Sequence, residues 1–251
     1  MTRIRTIIGL LSVALAAGVT GALTTDDTAA KTRVIGGDEV PIGMAPSMVS
    51  LQSLTRVHFC GGTILSNRWV VTAAQCTRGR TASTINIVAH NNPGTRHIGS
   101  VILQHPGFDP ITLTNDISMI NTTVAIPLNN NIHPAILSPF VYRDGLVVQI
   151  NGWGMVSKDG VDSESLQRIS TRTITNRDCR TRTAGSYDVM ETKICTFVAG
   201  GRGICYGDEG GGLFYLDELI GIASWHSVCS TDVPNVFELL LPHRLWINSY
   251  L

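Results

Sequence analysis

The chain has no excess of charge of either sign: across 251 residues, Lys+Arg and Asp+Glu both number 19. No basic stripe is available to neutralise phosphates, which argues against nucleic-acid binding. Nothing steers the chain toward an anionic membrane surface. It has no Cys-x-x-Cys pair and no Cys/His cluster at ligand spacing, so neither a metal site nor a cofactor is expected. No second long apolar run follows the one at the N-terminus, which argues against a membrane-spanning protein. No internal repeat or low-complexity segment is visible.

What is present begins with a leader. Arg3 and Arg5 precede the apolar stretch Ile7 to Leu15, and the small residues Ala16, Ala17 and Gly18 follow. This is the layout of a secretory signal. Cleavage is expected between Ala16 and Leu23, so residues 1–22 are taken as leader and 23–33 as a short propeptide. The polar stretch Thr24 to Lys31 is too short to fold and carries no cysteine. Six cysteines in a secreted chain point to three disulfides, and spacing alone allows fifteen pairings.

From Val34 onward short β-rich runs recur: Met48–Leu54, Trp69–Ala73, Thr84–Ala89, Leu146–Ile150, Leu166–Thr173 and Leu219–Trp225. Gly, Pro and Asn clusters separate them, a spacing that argues for a sandwich or barrel. One helix is expected over Pro242–Leu251. Pro242 suits a first helical position, and Leu241, Leu245 and Trp246 fall on one helical face. Hydrophobic content of 43% is enough for a sizeable core.

Seven segments carry a family resemblance. Arg33-Val34-Ile35-Gly36-Gly37 resembles the activation junction of trypsin/chymotrypsin-like serine proteases. His58-Phe59-Cys60-Gly61-Gly62 and Thr72-Ala73-Ala74-Gln75-Cys76 resemble the segments leading to and bearing the catalytic base, with glutamine in place of histidine. Asn115-Asp116-Ile117 is similar to the aspartate motif. Gly207-Asp208-Glu209-Gly210-Gly211 resembles the nucleophile loop, with glutamate in place of serine. Gly152-Trp153-Gly154 and Ser224-Trp225 complete the set. The overall look is similar to insect digestive-type trypsins.

The resemblance covers Val34 to Leu251. It implies an all-β fold of two six-stranded antiparallel barrels with a C-terminal helix and the site in the cleft between them. It implies the bridges Cys60–Cys76, Cys179–Cys195 and Cys205–Cys229. It assigns oxyanion donors to the backbone N–H groups of Gly207 and Glu209, and it pairs the new ammonium of Val34, freed by cleavage after Arg33, with Asp208.

The chemistry departs from the family at two of three positions. A serine protease needs a hydroxyl nucleophile, an imidazole to take its proton and a carboxylate to orient the imidazole. Asp116 is retained, and Ser224 is its expected hydroxyl partner. Gln75 is not basic near pH 7 but can donate to Asp116. The Glu209 carboxylate is a poor nucleophile toward an amide, and it can fill the oxyanion site itself. The specificity pocket departs too. Gly203 stands at its base where trypsins have aspartate, while His226 and Asn235 stand where glycine is usual. The pocket is therefore expected to be partly plugged, with no preference for Lys or Arg. His58 is expected to be structural, and His105, His133 and His243 to lie at the surface. Asn121-Thr122-Thr123 is an N-glycosylation sequon.

These residues imply a secreted, monomeric, catalytically inactive serine protease homologue. Its cleft would engage a protein: a protease, a protease inhibitor or a protein substrate. The alternatives are an active serine-type endopeptidase with noncanonical residues, an Asp116–Glu209 carboxylate hydrolase, and a structural or storage protein that keeps the fold.

Overall fold

Short runs of Val, Ile, Leu and Thr, each broken by Gly, Pro or Asn, form fourteen strands among the described residues of the computed structural model. These are 37–251 except 141, 143, 156–159, 184–188, 227, 228 and 230. The expected leader, the propeptide, Arg33 and Val34 lie outside them. In chain order the strands are β1 (Asp38–Glu39), β2 (Met48–Gln52), β3 (His58–Ile64), β4 (Trp69–Thr72), β5 (Asn86–Ala89), β6 (His97–Gln104) and β7 (Ser118–Thr122). They continue as β8 (Ile136–Leu137), β9 (Val147–Gly152), β10 (Gln167–Ile174), β11 (Lys193–Phe197), β12 (Gly212–Tyr215), β13 (Glu218–Trp225) and β14 (Asn235–Leu239).

Two barrels result, as the resemblance implied. The first closes in the order β2-β3-β4-β7-β6-β5. The second runs β9-β10-β11-β14-β13-β12 and closes where β12 pairs β9. Closure leaves no long unpaired edge in either ring. Val49, Leu51, Ile64, Val70, Ile87 and Ile120 fill the first interior; Val148, Ile150, Ile194, Leu213, Ile220 and Phe237 fill the second. A third cluster, including Met48, Val71, Met119, Trp153, Phe214 and Ile222, joins them. Each such side chain contributes about 1.5–3 kcal/mol on burial. Among the described residues no helix is long and apolar enough to cross a membrane.

Disulfides join Cys60–Cys76, Cys179–Cys195 and Cys205–Cys229, the pairing the resemblance implied. The first fastens β3 to the short helix α1 (Ala74–Thr77), which bears Gln75. The second fastens α2 (Asn176–Arg182) to β11. The third links the segment before Gly207 to the one after β13. Their loops span 16, 16 and 24 residues, worth about 3 kcal/mol each in the chain-entropy account.

The C-terminus departs from expectation. A 3-10 turn over Leu241–His243 precedes α3, which covers only Arg244–Asn248. The tighter turn shifts the helical phase. Ile247 therefore becomes the buried residue, Trp246 is half-buried, and Leu245 stands 88% exposed.

Candidate active site

The cleft between the barrels is built from four segments: α1 with Gln75, the turn before β7 with Asp116, the loop between Cys205 and β12 with Glu209, and the end of β13 with Ser224. Close backbone contact holds the third against the first barrel. Gly61 N–H donates to the Glu209 carbonyl at 2.8 Å, and a Cβ at Gly61 would lie 2.8 Å from the Gly211 Cα, which no side chain allows. Gly210 sits at φ +79°, a left-handed backbone that favours glycine.

Asp116 is fully buried. Its Oδ1 accepts the Gln75 backbone N–H at 2.9 Å, and its Oδ2 accepts the Gln75 Nε2 at 2.8 Å and the Ser224 hydroxyl at 2.8 Å. The Gln75 Nε2 also donates to the Ser224 carbonyl. Both amide hydrogens are thus committed, and the nitrogen that stands where a base is needed has no lone pair to take a proton. Burial pushes the Asp116 carboxyl up to about 6, against the opposing pull of the Lys193 charge, the Gln75 N–H and the Ser224 hydroxyl, while Glu238 adds to the rise.

Glu209 turns back on its own loop. Its Oε2 accepts the Gly207 N–H at 2.8 Å, the distance at which an oxyanion would sit. Its Oε1 lies 3.4 Å from the His226 Nε2. The opposite face of the Gly207 peptide is held as well. Its carbonyl accepts the His58 Nε2–H at 2.8 Å, which leaves the His58 Nδ1 to accept from the Ser50 hydroxyl at 2.8 Å when the ring is neutral. Burial lowers the His58 pKa. The expected structural role of His58 matches this geometry.

Asp208 is buried beside Glu209. Gly154 N–H donates to its Oδ1 at 2.7 Å and Cys205 N–H to its Oδ2 at 2.9 Å. Burial pushes its carboxyl up to about 7, against those two N–H groups. Among the described residues no cation pairs with it; the expected partner, Val34, lies outside them.

Asn235 and Gly203, two of the expected specificity-pocket residues, pack against each other. Asn235 is 4% exposed. Its Oδ1 accepts the Ile204 N–H at 3.0 Å, and its amide lies so close over Gly203 that a Cβ there would collide with it. The His226 ring lies 5.0 Å from that of Tyr206. Trp225 is buried on the wall. A cavity of about 320 Å³ stays open in the cleft. Gln75, Glu209 and Ser224 line it together with the apolar Phe108, Pro110, Leu113 and Trp225, and with Arg78, Tyr206 and His226.

Behind Asp116 lies a charged layer that sequence reasoning missed. The Lys193 side chain, 0% exposed, donates to the Leu113 carbonyl at 2.6 Å, the Ser224 Oγ at 3.0 Å and the Glu238 Oε2 at 2.6 Å. Glu238, equally buried, also accepts the Asp116 N–H at 3.2 Å and pairs with the His243 Nε2 at 2.7 Å. Burial works against the Glu238 charge, but His243 and Lys193 outweigh it and hold its carboxyl below the usual range. His243 is therefore not a surface residue: it is 3% exposed, because it partners Glu238. His105 is a half-buried loop residue rather than a free surface one, with its ring 4.9 Å from His243 and 5.2 Å from Trp246. His133 is exposed as expected. Asn121 sits on β7, half-buried, with its Oδ1 accepting from the Ser100 hydroxyl at 3.0 Å.

Comparison with known proteins agrees with this architecture. The family model described as Trypsin matches residues 34–247. Trypsin II-P29 of Gallus gallus is 32% identical over 223 residues, which are 86% of this chain and 88% of that protein. Trypsin 5G1 of Aedes aegypti is 28% identical over 224 residues, 86% of this chain and 84% of that protein. Alkaline trypsin A of Manduca sexta is 32% identical over 231 residues, 86% of this chain and 90% of that protein. With two closed barrels, three bridges and a cleft between them, the chain belongs to the trypsin family.

Proposed function

We propose that this chain is a secreted member of the family that does not hydrolyse peptides, and that its cleft binds another protein. One observation carries the reading: the two positions that supply base and nucleophile hold an amide and a carboxylate, each already engaged by its surroundings. The Gln75 amide hydrogens go to Asp116 and Ser224, and the Glu209 carboxylate occupies the Gly207 N–H. A substrate carbonyl entering the cleft meets a filled anion site and a negative charge where its own charge would develop. The open cavity beside Phe108, Pro110, Leu113 and Trp225 has the concave, partly apolar character of a recognition site. The partner class is a protease, a protease inhibitor or a protein substrate of another protease. The leader, the three bridges and the balanced charge fit an extracellular monomer.

The test is labelling of the pure domain with a fluorophosphonate, which needs an activated serine. No labelling is expected. Stoichiometric labelling would establish the rival reading, an active serine endopeptidase, which the names of the relatives favour. Hydrolysis without labelling, with a pH–rate profile set by carboxylates, would establish the Asp116–Glu209 reading. Capture of one saturable partner from secreted proteins, lost on Trp225→Ala or Leu113→Asp, is the positive result.

A further inference from the structure

The buried layer behind the cleft contains more charge than a lone carboxylate needs. Asp116 already accepts from the Gln75 backbone, the Gln75 side chain and Ser224. Yet a fully buried ammonium stands one hydroxyl away: the Lys193 Nζ donates to the Ser224 Oγ, which passes its own hydrogen to Asp116. Glu238 closes the layer, taking the Lys193 Nζ and the Asp116 N–H on one oxygen and His243 on the other. The groups come from separate elements. Lys193 is on β11, Ser224 on β13, Glu238 on β14, His243 precedes α3, and Asp116 belongs to the first barrel.

We propose that Lys193 is a positioning residue that supplies the counter-charge of Asp116 from behind, in the place an imidazolium would take from the front, and so fits the site to a neutral side chain at position 75. A proton-accepting imidazole relies on its carboxylate to stabilise the positive charge it gains. Here that stabilisation is already directed to Lys193. The chain would then carry a third departure from hydrolytic chemistry, one that no motif contains. The inference builds on the non-catalytic reading above. Fluorophosphonate labelling of the natural chain tests that reading alone; the experiment below tests only the role of Lys193.

The experiment follows a reporter imidazole installed by Gln75→His, titrated by carbon-edited NMR and assigned by difference from the natural chain. Among the described residues, the charged and titratable groups around it are Asp116, Glu209, His226 and Arg78 on the cleft side, with Lys193, Glu238 and its partner His243 behind. Lys193→Met should raise the reporter's pKa by about one unit, because the Asp116 charge is no longer shared. Glu238→Gln keeps hydrogen-bonding capacity, directs more of the Lys193 charge to Asp116 and should lower the reporter's pKa. The double variant removes both charges of the pair together and should bring the reporter back toward its starting value. Opposite signs for the two single variants support the proposal, since a purely structural role moves both the same way or neither. If Lys193→Met does not fold, Glu238→Gln and the double variant decide. A reporter pKa that Glu238→Gln leaves unchanged or raises overturns the assignment.

Discussion

Gln75 and Glu209 illustrate how one side chain can keep a fold's hydrogen bonds while removing its chemistry. Gln75 still donates to Asp116, so the buried carboxylate stays satisfied, and Glu209 still satisfies the Gly207 N–H. The pocket residues set a further barrier. The double change Gln75→His and Glu209→Ser should give a protein that labels slowly with a small fluorophosphonate yet cleaves Lys or Arg peptides poorly. Asn235 covers Gly203 and His226 stands where glycine is usual, and a reacting carbonyl held about 1 Å out of place loses ~10²-fold in rate. Adding Gly203→Asp, His226→Gly and Asn235→Gly should raise kcat/KM for such peptides. Efficient cleavage by the double variant alone would show the pocket to be open. The buried ion pair makes a separate prediction. Glu238→Ala strands Lys193 in a dry interior and should lower unfolding stability by about 3–5 kcal/mol, read from urea midpoints. Replacing Lys193 and Glu238 together with Met and Leu should cost much less.

At the level of elements, helix α2 offers a clean measurement. The Thr175 Oγ1 accepts the Asp178 N–H at 2.9 Å at the helix start, so Thr175→Ala should cost about 1 kcal/mol. Loss of the Cys179–Cys195 bridge in the same region should cost about 3 kcal/mol in thermal or urea unfolding. The strands of the two barrels were legible in different degrees. Runs dense in Val, Ile and Leu, such as those of β4, β5 and β13, appear in the sequence within a residue or two. β3 was hidden by Gly61, which the Gly211 contact requires, and by Gly62, where a Cβ would collide with Val49 and Val70. β11 and β14 were hidden because Lys193 and Glu238 interrupt their apolar pattern. A charged residue in a strand ordinarily faces water, and only the partner across the register, Lys193 opposite Glu238, explains why these two do not. Asp116, Gln75 and Glu209 were legible because motif context fixes them. His243 was not, since its place depends on Glu238, five residues away in the chain and recognisable only once folded.

For the whole molecule, pH acts through Asp208. Its carboxyl is pushed up to about 7 by burial, well above the ordinary aspartate value of about 3.9 in an unfolded chain. The folded form therefore holds this proton more tightly, so stability is greatest below pH ~4 as far as this group is concerned, falls as pH rises through 7, and is lower by at most ~4 kcal/mol at pH 8. Asp208→Asn should remove that decline, seen as a flatter plot of unfolding midpoint against pH. An ammonium delivered by cleavage after Arg33 should also remove it by favouring the charged carboxylate, so the cut chain should melt higher than the uncut chain at pH 8. Equal midpoints would sink the assignment of Val34 to Asp208. The Lys193–Glu238 pair has a consequence on a longer clock. Glu238 lost alone leaves the Lys193 ammonium in the second barrel without its carboxylate, and Lys193 lost alone leaves Glu238 with only His243, so inheritance tends to change both letters together or keep both. Among descendants of one ancestral gene, positions 193 and 238 should mutate in step, and a lineage that acquired the pair has no gradual route back to an unburdened site.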